Sequence, residues 1–127
     1  MCLLDAVEHY DGARIVCSSS RHCDPAHPLR EEGRVSPLAG IELAAQAMAA
    51  HGALLGGGRP LGGWLARIRD CVVSCDRMDT LPAPLRIEAE RVAGSERALS
   101  YRFSIVADGV EVLRGSALIA LSDETTA

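Results

Sequence analysis

Lysine and asparagine are both missing from this 127-residue sequence, so all thirteen basic side chains are arginine. That bias is the mark of a GC-rich coding sequence and carries no chemistry of its own. Aromatic residues are scarce at 3%, one Trp, two Tyr and one Phe. Bases have no stacking platform here. Positive charge is short as well, thirteen basic residues against seventeen acidic for a formal net charge of −4. A surface built to neutralise phosphates is therefore not expected, and nucleic acid is excluded as a partner. The longest apolar run, Leu38 to Leu55, is interrupted by Glu42, Gln46 and His51, which argues against a membrane span. No secretory leader pattern opens the sequence, and the five cysteines are an odd number, so reduced thiols in a cytoplasmic protein are expected. Cys71 and Cys75, even with His22 and Cys23 considered, do not have zinc-knuckle spacing, and neither a metal nor any cofactor is expected.

What remains is ordinary globular composition, 48% hydrophobic and 24% charged, with only the polar end Ser122 to Ala127 unable to pack. A chain of this length buries roughly two-thirds of its unfolded surface, so a single domain over 1–127 is expected. Cys2 to Tyr10 reads as a strand leading to a two-residue turn at Asp11-Gly12, and the strand resumes over Ala13 to Cys17. Ser18 to Arg34 is polar and proline-bearing and reads as a long irregular loop. Ser36 as N-cap, Pro37 as first helical residue and the glycines at 56–58 as a stop predict a helix of about nineteen residues. Between Leu38 and Ala50 its only polar side chains are Glu42 and Gln46, and a helix apolar on nearly every face belongs in a core.

Four strands follow, over Trp64 to Cys75, Leu85 to Val92, Ala98 to Ala107 and Val110 to Leu121. In the third, Leu99, Tyr101, Phe103 and Ile105 alternate with Ser100, Arg102 and Ser104, one dry face and one wet. Gly94-Ser95 and Asp108-Gly109 close hairpins on either side of it. The pattern predicts an α+β domain in which an antiparallel meander curls around one long buried helix.

Three stretches carry a resemblance to a known family. Leu3-Leu4-Asp5 with Val7, Gly40-Ile41-Glu42-Leu43-Ala44-Ala45-Gln46, and Gly63-Trp64-Leu65-Ala66-Arg67-Ile68-Arg69-Asp70 resemble, in order, the first strand, the central helix and the following strand of the hotdog-fold beta-hydroxyacyl-acyl-carrier-protein dehydratases and their aryl-polyene-pathway branch. The resemblance implies a hotdog fold, a 3-hydroxyacyl thioester on an acyl carrier protein as substrate, and a dimer joined at its sheet edges with the site at the seam. The partner is either an identical or a related hotdog protomer. Family members carry a His-Phe-Pro-Gly motif before the helix; its histidine falls on Pro28 here, the adjacent imidazole is His27, and no Phe-Pro-Gly follows.

Dehydration needs one group to take the proton alpha to the carbonyl and another to protonate the departing beta-hydroxyl. A lone carboxyl on an apolar helix loses hydration, which favours its protonated form and suits Glu42 to the role of acid. Gln46, the sole glutamine, lies one turn later, where its amide reaches the carboxyl or an ordered water. His27 is the candidate base. The backbone amides of Leu38, Ala39 and Gly40 at the positive helix end are candidates to polarise the thioester oxygen, with Gly40 either admitting a ligand or packing against a strand. Arg67, Arg69 and Arg59 are candidates for docking an acidic carrier. His9 reads as a surface strand residue, His22 as a solvated loop residue and His51 as a helix-end residue. Two other readings stay open, a hotdog thioesterase using Glu42 alone and a non-catalytic subunit of a heterodimeric dehydratase.

Overall fold

The computed structural model describes residues 2–57 and 63–121. The expectations placed on Arg59, on the last of the three glycines and on the tail from Ser122 lie outside them. The elements run β1 (Ala6–Tyr10), β2 (Arg14–Ser19), a short 3₁₀ turn (Arg21–Cys23), β3 (Arg30–Glu31), β4 (Arg34–Val35), α1 (Ala39–Leu55), β5 (Gly63–Val73), β6 (Leu85–Gly94), β7 (Ala98–Ala107) and β8 (Val110–Leu121). Six strands form one antiparallel sheet in the order β1-β2-β6-β7-β8-β5, wrapped on one side of α1.

Alternation builds the sheet as the sequence predicts. Leu85, Ile87 and Ala89 on β6 and Leu99, Tyr101, Phe103, Ile105 and Ala107 on β7 are buried against the helix, while Glu90 and Arg102 pair across the wet face. Asp108 and Gly109 both have positive φ, 49° and 76°, the left-handed pair that a tight β7–β8 hairpin requires. From the helix, Leu43, Ala44, Ala47, Met48 and His51 enter the core. Gly40 lets α1 lie close to the sheet: a Cβ there would stand 2.9 Å from Ile105 Cδ1 and 3.1 Å from Leu113 Cδ1.

Four expectations are corrected. The first turn closes between Asp11 and Arg14 rather than at Asp11-Gly12, because Asp11 Oδ1 accepts the N–H groups of both Ala13 and Arg14 at 2.9 Å. The irregular loop contains structure of its own, the 3₁₀ turn and the β3–β4 hairpin, with Glu32 and Gly33 at positive φ. The helix starts at Ala39, later than Pro37. Ser36 Oγ accepts the N–H of Leu38 at 3.2 Å, so Ser36 caps a turn before the helix rather than the helix itself. Finally, β5 is no part of the β6–β7–β8 meander: it crosses to the far side and pairs with β8 as an edge strand.

Candidate functional site

Glu42 and Gln46 stand together on the one stripe of α1 that the sheet leaves open. Ile41, Glu42, Ala45 and Gln46 are half-buried and Ala49 is exposed, so the helix is less enclosed in a single chain than its composition suggests. Gln46 Nε2 donates to Glu42 Oε1 at 3.2 Å, while Gln46 Oε1 accepts the N–H of Leu3 at 2.7 Å. The glutamine thereby ties the carboxyl to the segment before β1. That segment is fixed in turn, since Leu3 is buried and its carbonyl accepts from Ser19 Oγ at 2.6 Å. Beside this stripe an apolar hollow of about 200 Å³ lies between α1 and the edge of the sheet, lined by Ala45, Met48, Ala49, Trp64, Leu65 and Ile119.

The amides at the helix start do not offer themselves as an oxygen-binding site. Ala39 N–H donates to the carbonyl of Ser36 at 3.0 Å and Gly40 N–H to that of Pro37 at 2.9 Å, and Leu38 N–H is held by Ser36 Oγ. The late start of the helix consumes the donors that the sequence reading of Leu38, Ala39 and Gly40 relied on. Gly40 turns its α-carbon to the sheet, so the packing alternative describes it.

His27 sits in the loop before β3 and is buried rather than solvated. Its Nδ1 accepts the N–H of Leu29 at 3.0 Å. Burial, seconded by the Arg30 guanidinium, holds its pKa below the usual imidazole value, with Asp24 pulling the other way. His22 is buried too, correcting its reading as a solvated residue: Nε2 lies 2.9 Å from the carbonyl of Leu81, and Nδ1 has no hydrogen-bond partner. The whole loop is pinned to the chain ahead of β6 through Asp79, which pairs with Arg77, lies 3.9 Å from Arg30 and accepts the N–H of Val35 at 2.9 Å. The Arg77 side chain holds the Asp79 carboxyl far below the ordinary carboxylate range.

His51 is the residue whose place the sequence reading missed. It is fully buried, with Nδ1 2.7 Å from the Tyr101 hydroxyl and Nε2 2.8 Å from the Asp11 carbonyl. Tyr101 accepts from Arg91 Nε at 3.1 Å and Nη2 at 2.8 Å. The protons are thus fixed: Arg91 donates to the phenol oxygen, the phenol donates to Nδ1, and Nε2–H donates to the carbonyl. The signal was present in the helix wheel, because a position opposite Glu42 is the core face. His9 is exposed, as expected.

Arg67 and Arg69 are exposed on β5 and join Arg102, Ser100 and Ser116 around a depression of about 310 Å³ on the outer face of the sheet. Among the described residues no three of His, Cys, Asp and Glu gather as a metal site, and no described helix is long and apolar enough to cross a membrane.

A family model described as "ApeP-like: ApeP dehydratase" matches residues 1–126. Among solved structures, the chain is similar to the dehydratase heterocomplex ApeI:P from Xenorhabdus doucetiae, with a TM-score of 0.84 at 18% identity, over 98% of this chain and 85% of that one. It is also similar to the TT0310 protein of Thermus thermophilus (TM-score 0.67, 19% identity, 92% of this chain and 91% of that one). Thioesterase HI1161 of Haemophilus influenzae shares the fold more distantly, with a TM-score of 0.65 at 9% identity, over 91% of this chain and 76% of that one. At these identities the structural likenesses establish the hotdog fold and nothing finer. Comparison with curated proteins gives no match.

Proposed function

This chain belongs to the ApeP-like dehydratase family, and on that premise we propose that it acts in the removal of water from a 3-hydroxyacyl thioester presented by an acyl carrier protein, in aryl-polyene or fatty-acid type synthesis. The observation that carries the reading is the placement of Glu42. It is the one carboxyl on α1, it is held by Gln46, and it opens on the uncovered stripe beside an apolar hollow suited to an acyl chain. The substrate's reacting carbons need a proton-handling group next to an apolar sleeve, and this stripe supplies both. The stripe is open to solvent in one chain, and a second hotdog protomer, identical or related, completes the enclosure. His27 is the imidazole that such a site draws on.

The test is mass analysis of a 3-hydroxyacyl carrier adduct incubated with the protein, alone and with a related hotdog protomer. Loss of water supports the dehydratase, loss of the acyl group supports a thioesterase, and an unchanged adduct in both mixtures removes the catalytic reading. Glu42→Gln keeps the volume and an oxygen for Gln46 Nε2 to donate to. We expect an unchanged melting temperature and turnover lower by roughly 10²-fold, the usual worth of a positioned acid or base.

A further inference from the structure

The His27 ring is built into its own loop as a hydrogen-bond acceptor. Ala26 N–H donates to Asp24 Oδ1 at 2.8 Å, His27 N–H to the Asp24 carbonyl at 3.0 Å, and Arg30 N–H to the His27 carbonyl at 3.0 Å, so both backbone polar groups of His27 close turns. In the same stretch Leu29 N–H donates to His27 Nδ1 at 3.0 Å. A backbone N–H can only donate, so Nδ1 presents its lone pair and the neutral ring carries its proton on Nε2. The Arg30 side chain holds the turns together, donating to the carbonyls of Asp24 (3.2 Å), His22 (3.2 Å) and Gly33 (2.8 Å). It also lies 3.9 Å from Asp79, which ties the loop to the chain ahead of β6.

A second proton has one place to go on this ring, and that is Nδ1. There it meets the Leu29 N–H donor to donor, so the hydrogen bond that closes the turn cannot survive protonation. The surroundings offer an imidazolium little in return. Arg30 and the buried His22 face the ring, and among the described residues Asp24 is the one carboxylate that does, with its Oδ1 already accepting from Ala26. Burial first and the Arg30 cation second hold the His27 pKa below its unfolded value of 6.5. The open loop therefore binds the proton more tightly than the closed one, and closure is strongest above about pH 6.5 and weakens as the pH falls below it. We propose that the segment from Asp24 to Val35 is an acid-released latch, in which a second proton on His27 breaks the Leu29 bond and frees the loop with its β3–β4 hairpin while the large sheet stays folded. The latched segment walls a groove of about 690 Å³ at the helix start, lined by Leu29, Arg34, Leu38 and Arg77, so its release uncovers that end of α1. The latch does not depend on the dehydratase reading.

Amide hydrogen exchange of the parent chain from about pH 7.5 to about pH 5, corrected for intrinsic exchange, reads the latch directly. Protection of the Leu29 and Arg30 amides should fall by up to about tenfold per pH unit below about pH 6.5, the slope of one proton taken up on opening, and should stay below that of the β7 amides throughout. Ring ¹⁵N shifts should place the second proton on His27 over the same interval. His27→Asn sets a non-titrating oxygen near the place of Nδ1 for Leu29 to donate to. Its loop protection should not change with pH, while the β7 amides keep the acid-side decline that His51 gives them. The proposal is overturned by parent loop protection that is flat with pH, by loop and β7 amides that exchange together, by a His27 ring that takes its second proton with Leu29 still protected, or by a His27→Asn chain that keeps the slope. If His27→Asn leaves the loop open at neutral pH, the ring titration and exchange of the parent decide by themselves.

Discussion

His51 is fully buried and is hydrogen-bonded at both ring nitrogens. It joins three elements that are distant in sequence, the β1–β2 turn through the Asp11 carbonyl, α1 through its own backbone and β7 through Tyr101. Replacing it with alanine leaves the Tyr101 hydroxyl without its acceptor, the Asp11 carbonyl without its donor, and a cavity under the helix. Each orphaned buried group costs about 1–3 kcal/mol, so His51→Ala should lower stability by about 3 kcal/mol, measurable by denaturant unfolding. The same network sets a pH dependence. Burial lowers the His51 pKa below its unfolded value of 6.5, helped by the Arg91 cation and opposed by the hydrogen bond to the Asp11 carbonyl. His27, also depressed, adds in the same direction. Between the folded and unfolded values the unfolded chain binds more protons, so stability is full above about pH 6.5 and falls as the pH drops below it. In a His51→Ala background that acid-side decline should be shallower. An equally steep decline would remove His51 from the account.

At the scale of elements, the contact between α1 and the sheet turns on Gly40. Alanine there brings a Cβ against Ile105 Cδ1 and Leu113 Cδ1, both in close-packed core, at a cost of about 1–3 kcal/mol. Better helix propensity returns about 1 kcal/mol. Gly40→Ala should therefore be destabilising by about 1 kcal/mol, and less so beside Ile105→Val, which deletes the nearer methyl. Equal effects in the two backgrounds would mean that the helix moves instead. This contact also marks how far the sequence could be read. The period-two run through Leu99, Tyr101, Phe103 and Ile105 exposed β7 because its neighbours along the chain are its neighbours in space. Apolar composition identified α1, and the pairing of Glu42 with Gln46 follows from one turn of spacing. The position of β5 was not legible in this way, since an edge strand and a meander strand share one local pattern and only the crossover separates them. The burial of His22 and His27 was hidden for a similar reason. Asp79 and Arg77, which lie beyond α1 and β5 in the sequence, close over a polar loop through its own Arg30, and no local pattern records that.

At the scale of the molecule, the two sheet edges are not alike. β1 is five residues long, bulged between Val7 and His9, and carries Glu8, features that discourage pairing. β5 has eleven residues and leaves Trp64 58%, Leu65 37%, Val72 44% and Val73 41% exposed. Apolar side chains of this size along an unpaired edge are a liability in an isolated chain. The open stripe of α1 and its hollow adjoin the same edge, since Trp64 and Leu65 line both. A second sheet joined along β5 would therefore cover the strand edge, its hydrophobic side chains and the Glu42 stripe in one step, whereas pairing through β1 would leave all three in water. The chain should accordingly sediment at twice its 13.4 kDa mass at micromolar concentration, or enter a one-to-one complex with a related hotdog protomer. Trp64→Glu with Val73→Glu sets charges on the seam without touching the core, and should shift either assembly to monomers while the thermal transition of the single chain persists. A parent chain that stays monomeric with and without the related protomer would show that β5 is not a seam, and the Glu42 stripe would then have to work open to solvent.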